Sequence, residues 1–115
     1  MSSELLRLAE VMNRLRSPGG CPWDAEQTHQ SLLKYLLEES YEFVDSVDED
    51  DRTAMREELG DILLQVYFHS RIAQEHPTDP FDIEEVAKGI ADKLIRRHPH
   101  VFGDDEARAA TAAES

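Results

Sequence analysis

Apolar positions fall into four blocks at helical spacing, each closed by breaker residues. Leu5, Leu8, Val11, Met12 and Leu15 predict a first helix over residues 4–15, stopped by Ser17-Pro18-Gly19-Gly20. Leu32, Leu33, Leu36, Leu37, Ser40, Phe43, Val44 and Val47 share one arc of a second, running from Thr28 or His29 to Val47. The third block, residues 52–75, is apolar on two sides. Met55, Leu59, Ile62, Leu63, Val66, Ser70 and Ala73 lie on one arc, and Leu64, Phe68 and Ile72 on another. A helix apolar on two sides is packed on two sides. Val86, Ile90 and Leu94 form the buried stripe of a fourth helix over residues 83–97, with Asp82 as its N-cap and His98-Pro99 as its stop. The acidic turn Asp48-Glu49-Asp50-Asp51 supplies an N-cap for the third helix from Asp50 or Asp51. So short a link makes the second and third helices antiparallel neighbours. The pattern predicts an all-α fold of four helices.

Carboxylates interrupt this pattern. Asp61 falls inside the Leu64–Phe68–Ile72 stripe, which places it at least half out of water, with Glu58 one turn back on the same flank. Ionised carboxylates away from water require cations or hydrogen-bond donors. Gly60 weakens the helix by about 1 kcal/mol relative to Ala, which implies a close backbone approach there. On the second helix, Glu39 and Glu42 stand at i, i+3, and Glu38 and Glu42 at i, i+4. A solvated face is the plain reading of those glutamates taken alone. Opposite Glu58 and Asp61, however, Glu39 and Glu42 complete four carboxylates able to surround a hard divalent cation. Mg²⁺ suits such a site, because it takes oxygen ligands and keeps waters and substrate phosphates in its shell. A di-iron bundle would need two Glu-x-x-His pairs, and only Glu26 with His29 fits, at the start of a helix.

Composition narrows the partners. The chain's 115 residues suffice for one core, and 40% hydrophobic with 32% charged residues describes a soluble globular domain. No run of about 18 apolar residues offers a membrane span, and the N-terminus lacks a signal-peptide pattern. Cys21, the lone cysteine, excludes an internal disulfide and fits a reducing cytoplasm. A net charge of −13 argues against nucleic acid and disfavours any free polyphosphate, unless metal and a local basic cluster neutralise the site. Lys93, Arg96 and Arg97 are such a cluster, and Lys93 and Arg97 share one helix face at i, i+4. Their position at a helix C-terminus also complements the macrodipole. Trp23 lies in a Gly/Pro-rich loop, where an indole either covers a core edge or stacks on a ligand. His69 reads as a partly buried, satisfied histidine and Cys21 as inert. A helical interaction module with surface acids would leave Asp61 unexplained.

Assembled, these residues resemble the MazG family of nucleoside triphosphate pyrophosphohydrolases, within the all-α NTP pyrophosphatase superfamily. Glu38-Glu39-Ser40-Tyr41-Glu42 and Glu58-Leu59-Gly60-Asp61 match the family's E-E-x-x-E and E-x-x-D patterns. Gly20-Cys21-Pro22-Trp23-Asp24 with Glu26-Gln27-Thr28, and Arg96-Arg97-His98-Pro99-His100-Val101-Phe102, match its more specific runs. The resemblance covers roughly residues 6–103. It implies a four-helix bundle dimerising through its helices, within a domain spanning residues 1–103. It implies Mg²⁺-dependent hydrolysis of a nucleoside triphosphate between the α and β phosphates, with Mn²⁺ as an alternative ion. Glu39, Glu42, Glu58 and Asp61 become metal ligands, Glu38 an accessory acid, and Lys93, Arg96 and Arg97 the phosphate-contacting residues. A homodimer is implied, with a tetramer also open. Many members carry two such domains, and members continue into a further helix bearing Trp and Lys. Here residues 106–115 have neither, so residues 104–115 are expected to form a disordered or truncated tail. The second reading is a catalytically weak or silent helical domain that dimerises or binds nucleotide.

Overall fold

The computed structural model describes residues 3–113. Among the described residues seven helices follow one another: α1 (Glu4–Arg16), α2 (Pro22–Glu26), α3 (His29–Asp48), α4 (Arg52–Ala73), α5 (Ile83–Arg97), α6 (Pro99–Phe102) and α7 (Asp104–Ala113). The described residues contain no strand, and the protein is all-α. The four long helices expected from the periodicity are present, and their starts follow their caps. Ser3 accepts from the Leu6 amide, Asp51 from Ala54 and Asp82 from Glu85. Thr28 and Ser31 exchange side-chain and backbone bonds in a capping box. Asp50, at φ 51°, turns the chain between α3 and α4, which leaves Asp51 as the cap.

The chain divides into two compact units, one ending at Pro80 and one beginning at Phe81. In the first, α3 and α4 pack along their length and α1 lies on α4. Met12, Leu32 and Phe68 form the core, with Tyr35, Leu64 and Ile72 against it. Tyr67 Oη donates to the Leu5 carbonyl at 3.2 Å, and Arg71 Nε to Asn13 Oδ1 at 3.0 Å, so α1 is fixed to α4 at both ends. Leu32 is only 1% exposed. Leu32→Ala is expected to destabilise the protein by about 2–5 kcal/mol, read as a lowered urea midpoint.

The second unit holds α5, α6 and α7. Within the expected tail, residues 104–113 are helix, and residues 114 and 115 lie outside the described residues. Alanines have the best helix propensity, Asp104, Asp105 and Glu106 occupy the favourable first turn, and Ala107 and Ala110 are buried. Small side chains let α7 lie close on α5, a form of burial that hydropathy underrates.

Several apolar arcs are less covered than their periodicity implies. Val86, Ile90 and Leu94 are exposed on α5. On α3, Leu33, Leu37, Tyr41 and Val44 form an exposed stripe at i, i+4, i+8 and i+11, and Leu59 and Val66 are exposed on α4. A wheel identifies the apolar side of a helix but not whether the same chain covers it. No described helix is long and apolar enough to cross a membrane.

Candidate metal centre

The α3–α4 hairpin carries the acidic residues. Glu39 and Glu42 project from α3, Glu58 and Asp61 from α4, and one ligand oxygen from each lies within 4.8 Å of the others. Spacing explains the convergence. Each pair stands at i, i+3 on its own helix, so both members face the neighbour. Glu39 and Glu58 are half-buried, whereas Glu42 and Asp61 are exposed. The expected burial of Asp61 is therefore corrected. The stripe through Leu64, Phe68 and Ile72 does face the core, but Asp61 sits at its open end, beyond the Met12–Leu32–Phe68 cluster. Gly60 is corrected too: a Cβ there would meet nothing, so no close backbone approach requires it. Glu38 is exposed and outside the cluster.

The quartet is electrostatically unfavourable on its own. Partial burial, then the charges of Asp61 and Glu42, push Glu39 from 4.5 up to about 7. Burial and the Glu42 carboxyl also raise Glu58. Glu39 Oε2 and Glu58 Oε2 are buried without a hydrogen-bond partner. Four carboxylates with two orphaned buried oxygens fit a hard cation held by oxygen ligands. No thiolate or imidazole belongs to the set, which disfavours softer metals.

Tyr35 lies one helical turn before Glu39, and the Trp23 ring meets it edge-on at 6.1 Å between centroids. Trp23 is 49% exposed, so it is only partly a core cover. Gly20 shapes this loop, since a Cβ there would run into the Arg14 and Leu15 carbonyls as the Cys21 amide bonds Leu15 O at 2.8 Å. In the second unit, Lys93 and Arg96 are half-buried on α5 and Arg97 is exposed. There Arg96, Arg108 and Thr111 line a cavity of about 430 Å³ with Pro99, Asp104 and Ala107.

Two long-range groupings lay beyond the sequence pattern. Arg16, Glu75 and Arg71 form an ion-pair network. His29 Nδ1 and His69 Nδ1 meet at 2.8 Å with stacked rings. Burial, and secondarily His29, hold His69 below its ordinary pKa. His69 is partly buried, as expected, but it is only half satisfied: Nδ1 meets a second histidine, whereas Nε2 is buried without a hydrogen-bond partner.

The all-α hairpin with its two facing acidic pairs is an arrangement that could hold a metal ion. The chain belongs to the MazG nucleotide pyrophosphohydrolase domain family, whose model matches residues 27–102. It is 56% identical over 97 residues to the nucleoside triphosphate pyrophosphohydrolase/pyrophosphatase MazG of Thermotoga maritima, covering 84% of this chain and 37% of that protein. It is 52% identical over 113 residues to an uncharacterized 26.1 kDa protein of Streptomyces cacaoi, covering 98% of this chain and 46% of that one. Identity to the nucleoside triphosphate pyrophosphohydrolase of Escherichia coli is 47% over 106 residues, covering 91% and 40%. The chain thus spans less than half the length of these curated relatives.

Proposed function

We propose that this domain hydrolyses nucleoside triphosphates between the α and β phosphates, giving monophosphate and pyrophosphate, with Mg²⁺ as cofactor. The observation that carries the reading is the convergence of Glu39, Glu42, Glu58 and Asp61, with Glu39 raised to about 7 by partial burial and then by neighbouring charges that a cation would relieve. Family membership adds to it. Glu39, Glu42, Glu58 and Asp61 hold the ion, which when bound neutralises phosphate charge and acidifies water. Mn²⁺, also an oxygen-seeking ion, is the expected substitute. Glu38, exposed on the same helix, serves as an accessory acid at the rim. On the family resemblance, Lys93, Arg96 and Arg97 serve phosphate binding and Trp23 serves nucleoside binding. A cytoplasmic setting suits this substrate.

A homodimer completes the domain. The exposed stripe of Leu33, Leu37, Tyr41 and Val44 runs along α3, and apolar surface of that extent on a helix marks an interaction face. Leu37→Asp is expected to shift sedimentation from dimer to monomer while retaining the helical signal of the fold. An unshifted dimer would contradict that assignment.

Product analysis tests the proposed reaction. Ribo- and deoxyribonucleoside triphosphates are incubated with Mg²⁺ and then with EDTA. Metal-dependent release of pyrophosphate supports the proposal, and release of orthophosphate refutes the bond assignment. Nucleotide binding without release would favour the second reading, a catalytically silent member of the family.

A further inference from the structure

Arg16 ends α1 with only 8% of its side chain exposed, and its guanidinium is engaged on every nitrogen. Nε and Nη2 donate to the two oxygens of Glu75 at 2.7 and 3.0 Å. Nη1 donates to the carbonyls of Asp24 and Gln27 at 2.7 and 3.0 Å. The Glu75 carboxyl is held below the usual range, chiefly by its hydrogen bond from Arg16. A charge so removed from water needs this full set of partners. Its position is therefore narrowly fixed.

What the clamp fixes is the turn bearing Trp23. Asp24 lies within α2 and Gln27 caps its end, and Gln27 Nε2 donates back to the Trp23 carbonyl at 3.0 Å. The backbone is thus held from both sides while the indole remains 49% exposed. Trp23 meets Tyr35 at 67° between ring planes. Tyr35 and Glu39 stand at i, i+4 on α3, about 6 Å apart along the helix axis. Tyr35 thus stands one helical turn from Glu39 of the quartet, and Trp23 lies against Tyr35. A triphosphate anchored at the quartet would extend its nucleoside away from the metal, and this aromatic pair is an apolar surface available to it in that direction.

We propose that Arg16 is a positioning residue that holds Trp23 as the stacking platform for the nucleobase. Arg16 and Trp23 then set affinity for the nucleoside, and the quartet sets affinity for phosphate and metal. The proposal rests on reading the quartet as the phosphate and metal centre. Stacking accepts any base, because every base presents a π-face. The platform therefore recognises nucleosides as a class.

Trp23 is the only tryptophan, so indole emission reports on this ring alone. The full chain is titrated, in Mg²⁺, with α,β-methylene ATP and separately with inorganic tripolyphosphate, following emission and heat. The nucleotide analogue is expected to quench Trp23 and bind more tightly than tripolyphosphate, which binds without quenching. Trp23→Ala and Arg16→Lys are expected to weaken the analogue about tenfold or more, leaving tripolyphosphate affinity and helical signal unchanged. Wild-type analogue affinity in Trp23→Ala overturns the platform. An Arg16→Lys variant that loses both ligands equally, or neither, overturns the positioning role. If the wild-type chain binds no tripolyphosphate, the phosphate-site reading itself fails, and the proposal with it.

Discussion

Asp61→Asn and Glu42→Gln, each nearly isosteric, are expected to lower Mg²⁺-dependent pyrophosphate release by at least about 1,000-fold. A metal centre contributes several kcal/mol of transition-state stabilisation, and each 1.4 kcal/mol or so is tenfold in rate. Both residues are exposed, so neither substitution opens a cavity and helix content is unchanged. Removing one of four like charges also relieves Glu39, whose carboxyl is raised partly by Asp61 and Glu42. The metal-free variants are therefore expected to melt at or above the wild-type temperature. Activity lost together with stability would instead indicate a structural role. Turnover within about tenfold of wild type would remove these residues from the metal centre.

Mg²⁺ is expected to stabilise the protein strongly at pH 8 and weakly at pH 5. Glu39 is raised from 4.5 to about 7 in the folded chain, and Glu58 is raised in the same direction. A group raised on folding contributes stability that is complete below its unfolded value. That contribution is lost as pH climbs through the folded value. The metal-free protein therefore loses stability between about pH 5 and 7.5 from these groups. Glu75, held low by Arg16, acts oppositely, and its contribution disappears only as pH falls through its lowered value. Cation binding requires the deprotonated carboxylates, so uptake of Mg²⁺ releases protons near pH 6 and few near pH 8. At one hundred times its dissociation constant the ion adds about 2.7 kcal/mol, or roughly 10 °C in melting temperature. Calorimetry in two buffers of different ionisation enthalpy measures the protons released. Equal Mg²⁺ stabilisation at both pH values would contradict the linkage.

The four long helices were legible because local signals agree: apolar spacing, Asp51 and Asp82 as caps, and the breakers after Arg16, Ala73 and Arg97. The acidic quartet was legible for the same reason, since i, i+3 spacing on two adjoining helices brings the pairs together. Depth was not legible. Asp61 lies on an apolar stripe yet is exposed, and Val86, Ile90 and Leu94 are periodic yet uncovered by the chain. Helix α7 escaped notice because its packing uses Ala107 and Ala110, whose small side chains carry little hydropathic signal. The Arg16–Glu75 clamp and the His29–His69 pair join residues far apart in the chain. No local pattern marks them, and only the packing of α1 and α3 on α4 brings them together.

Manganese binding followed by electron paramagnetic resonance tests the quartet most directly. Free Mn²⁺ gives a strong six-line signal that collapses when carboxylates capture the ion. The wild-type chain is expected to suppress that signal saturably, with Mg²⁺ restoring it by competition. A folded Glu58→Gln/Asp61→Asn double variant is expected to leave it intact. Suppression by the double variant equal to that of wild type would place the metal elsewhere and contradict the account.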